Sequence, residues 1–170
     1  MKIAYYFGSF DPIHNGHINV VKKAFDSGIE KVIFVLAMQN PMKGRVPTDM
    51  YERASLIYSA MFYVKTDKEY KVSFVESKPE LKPPYYTYNT LQELDKEYKD
   101  DEKYIICGQD MYDELPNWYK GNEILENYKF LVFERTNESS TEVRNLIKRL
   151  NELLPPNQAE KCLEYYGKNT

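Results

Sequence analysis

Both histidines of this 170-residue chain fall in one decapeptide, Gly8-Ser9-Phe10-Asp11-Pro12-Ile13-His14-Asn15-Gly16-His17. Imidazole can donate a hydrogen bond, ligate a metal or move a proton near neutral pH. Gly8 and Ser9 allow a ligand to approach the backbone, and Asp11-Pro12 is a turn signal. Asn15-Gly16 then leads into a stretch of helical periodicity, whose first N–H groups form an anion site. His14 and His17 thus stand at a helix entrance, where both rings can face an anion. Two other readings stay open at this point. One is a helix cap carrying two incidental surface histidines. The other is a metal pair, for which no third Cys, His or carboxylate has matching local spacing.

A second stretch, "ESSTEVRNLIK", also has anion-binding chemistry. Ser139 and Glu142 have capping-box spacing, and Val143, Leu146, Ile147, Leu150 and Leu154 recur on one helix face. Arg144 falls in the first turn, where the helix dipole disfavours a cation. A lone arginine there is commonly just solvated. Beside the hydroxyls of Ser139, Ser140 and Thr141, and beside unbonded amides, it can instead clamp a polyphosphate.

The elements that must hold these two stretches follow from periodicity. Five β-rich runs, Lys2–Phe7, Lys31–Ala37, Lys71–Glu76, Lys103–Cys107 and Lys129–Glu134, are nearly continuous in apolar residues, as expected of strands covered on both faces. Helical stripes lie between them. Ile18, Val21, Ala24 and Phe25 form the first. Ala54, Ile57, Tyr58 and Met61 form the second, opened by Thr48 and Asp49 after Pro47. Thr90, Leu91, Leu94 and Tyr98 form the third. This alternation predicts an α/β, Rossmann-like doubly wound sheet of about five parallel strands with helices on both faces. Such sheets bind ligands beyond the carboxyl ends of the strands, near the topological switch point. The decapeptide follows the first strand and so lies there.

The combination is more specific than its parts. "GSFDPIHNGH" resembles the G-x-F-D-P-x-H-x-G-H signature of the nucleotidyltransferase superfamily, and "ESSTEVR" resembles its I-S-S-T-x-x-R motif, with Glu138 in place of the usual isoleucine. "YIICGQDMYDELPNWYKGNEIL" and "YYTYNTL" resemble the bacterial nicotinate (nicotinamide) mononucleotide adenylyltransferases. The resemblance covers most of the chain and implies one nucleotidyltransferase domain over residues 1–170. It implies ATP and nicotinate mononucleotide as substrates, joined as nicotinate adenine dinucleotide with release of pyrophosphate. It implies that His17, His14 and Arg144 are catalytic, with His14 and His17 on the nucleotide phosphates. Gly8, Ser9, Phe10, Gly108, Asp110, Ser139, Ser140 and Thr141 would complete the ATP site, Asp110 on the ribose and the hydroxyls on the β- and γ-phosphates. Thr87, Trp118 and Tyr119 would hold the mononucleotide, with Trp118 stacked on the pyridine ring. A core anchor is the other reading of this single tryptophan. Lys43, in "NPMK", is either a phosphate contact or a solvated lysine. Mg²⁺ would come with the ATP phosphates, without a protein metal site.

One departure stands out. The family usually places some tens of residues, with another strand, between the fifth strand and the serine motif. Here Phe133-Glu134-Arg135-Thr136-Asn137-Glu138 joins them almost directly, and no residue assigned to the phosphate site is lost. Rival readings are a phosphopantetheine adenylyltransferase, a cytidylyltransferase and a non-catalytic nucleotide-binding regulator. The regulator reading predicts loss of His17 or Arg144, and both are present.

Composition sets the frame. A net charge of -3 gives no general attraction to nucleic acid or anionic membrane. No apolar run approaches membrane-spanning length. Two distant cysteines, Cys107 and Cys162, make neither a disulfide framework nor a zinc cluster. With Met1 running directly into a strand-like segment, a cytoplasmic protein is expected. The sequence does not set the oligomeric state.

Overall fold

Five parallel strands carry the chain's most apolar runs. They are β1 (Lys2–Gly8), β2 (Lys31–Leu36), β3 (Glu69–Ser73), β4 (Glu102–Gly108) and β5 (Lys129–Phe133), in the order β3-β2-β1-β4-β5. The computed structural model describes residues 1–38, 47–134 and 136–167. Lys43 lies outside the described residues. The order reverses between β1 and β4, so the connections leave their carboxyl ends toward opposite faces and open a crevice there.

Alternation along each strand feeds two cores. Ala4, Val32, Phe34, Leu36 and Ile106 face one side, under α1 (Asn15–Asp26) and α2 (Met50–Phe62). Ile3, Tyr5, Ile33, Val35 and Ile105 face the other, under α3 (Thr87–Glu97) and α5 (Gly121–Asn127). Burying a side chain such as Ile57 or Leu91 contributes about 1.5–3 kcal/mol. The doubly wound sheet expected from the sequence is present.

Two readings need correction. The third strand runs Glu69–Ser73, not Lys71–Glu76, and Val75–Ser77 form a 3-10 turn after it. Tyr58, assigned to the apolar stripe of α2, is exposed, with its hydroxyl accepting from the Val72 N–H at 3.3 Å. The stripe of α6 (Ser140–Leu153) is helical as expected, but Leu146 and Ile147 are 64% and 51% exposed. Periodicity marks an apolar face without showing that anything covers it. The short α4 (Gln109–Glu114) and α7 (Ala159–Tyr166) had no clear stripe to announce them.

Candidate functional site

A cavity of about 610 Å³ opens at the carboxyl ends of β1 and β4, lined by His14, His17, Gly108, Asp110 and Ser139 through Thr141, among others. Its position follows from topology. The loop after β1 supplies the histidines, the β4–α4 junction supplies Gly108 and Asp110, and the β5–α6 connection supplies the serines.

His14 is the N-cap of α1, in extended backbone conformation. Its Nδ1 accepts from the Gly16 N–H at 3.1 Å. His17, one turn on, accepts from the His14 N–H through its own Nδ1 at 3.2 Å. The two imidazoles thus cap the helix reciprocally, and their rings stack with centroids 3.8 Å apart. An accepting Nδ1 carries no proton, so in each neutral ring the proton sits on Nε2. The cap fixes both tautomers, so that Nε2–H is the donor on each ring, and both residues line the cavity. Burial lowers the His14 pKa, against an opposing contribution from Glu138. The surroundings therefore favour a neutral donor at His14.

Close packing explains two glycines here. A Cβ at Gly8 would come within 3.0 Å of the Phe10 ring, and one at Gly16 would collide with Thr136 Oγ1. Phe10 itself is 2% exposed and does not line the cavity. Its ring packs edge-on against His17 at 4.9 Å. Gly8 and Ser9 also stay out of the lining. Gly8 O accepts from the Ala37 N–H at 3.0 Å, and Ser9 O accepts from Arg53 at 2.7 Å.

The serine stretch forms the opposite wall. Ser139 caps α6, its Oγ accepting from the Glu142 N–H at 3.1 Å. This leaves the amides of Ser140 and Thr141 for an incoming anion. Ser140 Oγ donates to Pro12 O at 2.8 Å. Arg144 donates to Asp11 O and, at 3.1 Å, to Thr141 Oγ1. The guanidinium thus bridges the two motifs from behind the lining. These bonds place the α6 N-terminus beside the histidine loop, and the short β5–α6 connection is sufficient for that.

The acceptor residues lie elsewhere. Thr87, Trp118 and Tyr119 do not line this cavity. Thr87 is the first residue of α3, and the ring of Tyr86 just before it packs at a tilt against Tyr119, with centroids 4.7 Å apart. Trp118 is half-buried and packs on the second core. It follows a short 3-10 turn, Leu115–Asn117, so it both anchors and belongs to a loop.

Sequence reasoning missed Glu134, Thr136, Glu138 and Tyr6 in the lining. It also missed buried Asp11, Arg53 and Glu76 beneath the loops. Arg53 was detectable: it shares a helical face with Ile57 and Met61, an unusual place for a cation. Cys107 also lines the cavity, but burial pushes its thiol up to about 11. It therefore stays protonated and offers no thiolate nucleophile. Among the described residues, no three His, Cys, Asp or Glu side chains form a group able to hold a metal.

Comparison with known proteins gives a consistent picture. Residues 5–161 match the model of the cytidylyltransferase-like family. The chain is 31% identical over 136 residues to the nicotinate-nucleotide adenylyltransferase of Bacillus subtilis, spanning 79% of this chain and 69% of that protein. The nicotinic acid mononucleotide adenylyltransferase of Plasmodium falciparum complexed with NaAD superposes with a TM-score of 0.64 at 18% identity, covering 96% of this chain and 95% of the other. A bifunctional NMN adenylyltransferase/ADP ribose pyrophosphatase of Francisella tularensis, complexed with AMP and a manganese ion, gives 0.61 at 13% identity, covering 97% and 50%. These structural likenesses establish a shared fold.

Proposed function

The chain belongs to the cytidylyltransferase-like family, in its nicotinate-nucleotide adenylyltransferase branch, and on that premise we propose that it joins ATP and nicotinate mononucleotide into nicotinate adenine dinucleotide and pyrophosphate. One observation carries the reading. The reciprocal histidine cap presents two Nε2–H donors in a cavity whose other wall is the N-terminus of α6.

The reaction needs positioning more than proton transfer. A phosphate monoester has its second pKa at about 6, so the attacking mononucleotide is largely a dianion at neutral pH. Its phosphate oxygen forms a bond to the α-phosphorus of ATP. The bond from that phosphorus to the bridging oxygen of the β-phosphate breaks, and pyrophosphate leaves with the electron pair. Charge grows on the α-phosphoryl oxygens and on the leaving group, so preorganised donors stabilise the transition state.

His17 and His14 supply those donors to the α-phosphoryl group. The α6 amides hold the β- and γ-phosphates, with Ser139, Ser140 and Thr141 shaping that end, and Arg144, which lies behind the lining, turns from Asp11 O and Thr141 Oγ1 to join them when ATP binds. Gly108 gives the adenosine a bare stretch of backbone, and Asp110 accepts from its ribose. Thr87, Trp118 and Tyr119 take the pyridine end of the acceptor, and Lys43 its phosphate. Mg²⁺ bound to the ATP phosphates would supply further charge neutralisation there, with no protein side chain needed to hold it. The reaction takes place in the cytoplasm, with the whole chain acting as one nucleotidyltransferase domain.

The test is pyrophosphate release from ATP with nicotinate mononucleotide, nicotinamide mononucleotide, phosphopantetheine or no acceptor. Release should depend on the mononucleotide and favour the nicotinate form, whose carboxylate accepts charge-assisted hydrogen bonds from backbone amides near Thr87 and Tyr119. His17→Ala should reduce turnover by an amount equivalent to about 2.7–4 kcal/mol while leaving the circular dichroism unchanged. Release with phosphopantetheine alone would contradict the proposed substrate.

A further inference from the structure

We propose that Arg53, which is buried and does not line the cavity, is a positioning residue for adenylyl transfer: by fixing the Ser9–Phe10 peptide it sets where the His17 ring lies. The inference rests on the adenylyltransferase reading and extends it to a residue outside the two motifs.

Arg53 stands at the end of the first turn of α2 and is 1% exposed. Its Nε donates to Thr48 O at 2.6 Å, and Nη1 donates to Ser9 O at 2.7 Å and Ala37 O at 3.0 Å. Those carbonyls come from the loop after β1, the end of β2 and the entry to α2. A planar fork of donors can hold them together, whereas a lysine ammonium is a single point. A buried cation also needs a nearby negative charge. Glu76 supplies one: burial raises its pKa, while the Met38 N–H at 2.9 Å, the Thr90 hydroxyl at 3.1 Å and the charge of Arg53 pull it back down.

The contact to Ser9 O has a specific consequence. That carbonyl belongs to the peptide plane whose rotation about the N–Cα bond is the φ angle of Phe10. Phe10 has φ of 46°, in the left-handed region that a residue with a Cβ avoids. Relaxing φ would carry Ser9 O away from the guanidinium. The held peptide places the Phe10 ring between Tyr6 at 5.1 Å and Phe34 at 5.4 Å and against His17 at 4.9 Å. Thus the chain of contacts runs from Arg53 through one carbonyl and one strained residue to the imidazole that faces the reacting phosphate.

Arg53→Lys keeps the charge and removes the fork. With ¹⁵N-labelled histidine, the spectrum holds only two imidazoles, so the ring can be followed directly. In the folded variant, kcat should fall on the order of 100-fold, the effect of a small misplacement of reacting groups. KM for ATP and for the mononucleotide should change by less than about twofold, and the His17 resonance should move. A retained kcat, an unmoved His17 resonance, or a change confined to KM would each overturn the proposal. If Arg53→Lys fails to fold, Phe10→Leu tests the last link with the same readouts, and a retained kcat there overturns it. Failures of the two readings are separable. Wild type that releases no pyrophosphate contradicts the assigned reaction, while active wild type with an unaffected variant contradicts only the role of Arg53.

Discussion

At the scale of single residues, the site depends on what each histidine gives up to the backbone. Nδ1 of His14 must be unprotonated to accept from Gly16, and a cation there would also oppose the α1 dipole. Both effects agree in sign with the lowered pKa, whose largest cause is burial. The unfolded chain takes up this proton near 6.5, whereas the folded chain resists it until lower pH. Stability should therefore fall as pH drops through 6.5 toward the folded pKa, and His14 should add little more above about pH 7.5. Thermal unfolding between about pH 7.5 and about pH 5.5 reads this directly. Wild type should lose more stability over that range than His14→Asn, which keeps a good N-cap without an imidazole. Equal losses would remove the linkage. The sequence placed both histidines at the helix entrance, because a turn, a glycine and the start of apolar periodicity adjoin there. It did not reveal that they cap each other, since histidine is an uncommon cap and the pairing depends on rotamers.

Elements position these residues through their ends. The N-terminus of α6 is held by Ser140 and Arg144 to the carbonyls of Pro12 and Asp11. Arg144→Ala should remove a phosphate ligand and also loosen this tie. The expected result is a KM for ATP raised by about tenfold or more, one charge-assisted hydrogen bond being worth roughly 1.5–3 kcal/mol. The KM for the mononucleotide should change much less. Steady-state kinetics with each substrate varied in turn separates the two, and an unchanged ATP response would leave Arg144 a purely structural tie. The ends of elements were also where the sequence was least informative. Glu76 closes the apolar run expected to be the third strand, yet it sits in a 3-10 turn and reaches Met38 and Thr90. Leu146 and Ile147 share the expected helix face of α6, and periodicity does not say what covers it: with the sheet ending at β5, both are exposed.

At the scale of the whole molecule, strand order does most of the work. Reversal between β1 and β4 brings Gly8 and Gly108, a hundred residues apart in sequence, to neighbouring strand ends. The short β5–α6 connection then closes the third wall. This much could be read from apolar runs alternating with helical stripes, since that pattern admits few topologies. The network of Arg53, Glu76 and Thr90 was not legible, because it joins α2, the 3-10 turn after β3 and α3, whose proximity exists only in the folded chain.

The central claim is that the mononucleotide phosphate attacks the α-phosphorus of ATP directly, aligned by His14, His17 and the α6 N-terminus. Nicotinate mononucleotide labelled with ¹⁸O in its phosphate, incubated with unlabelled ATP and Mg²⁺, tests this most directly by mass spectrometry of both products. The account predicts that all of the label stays in the dinucleotide, one labelled oxygen becoming the bridge, and that pyrophosphate carries none. Label in the pyrophosphate, or a mixture of ATP and mononucleotide from which no dinucleotide forms, would contradict it.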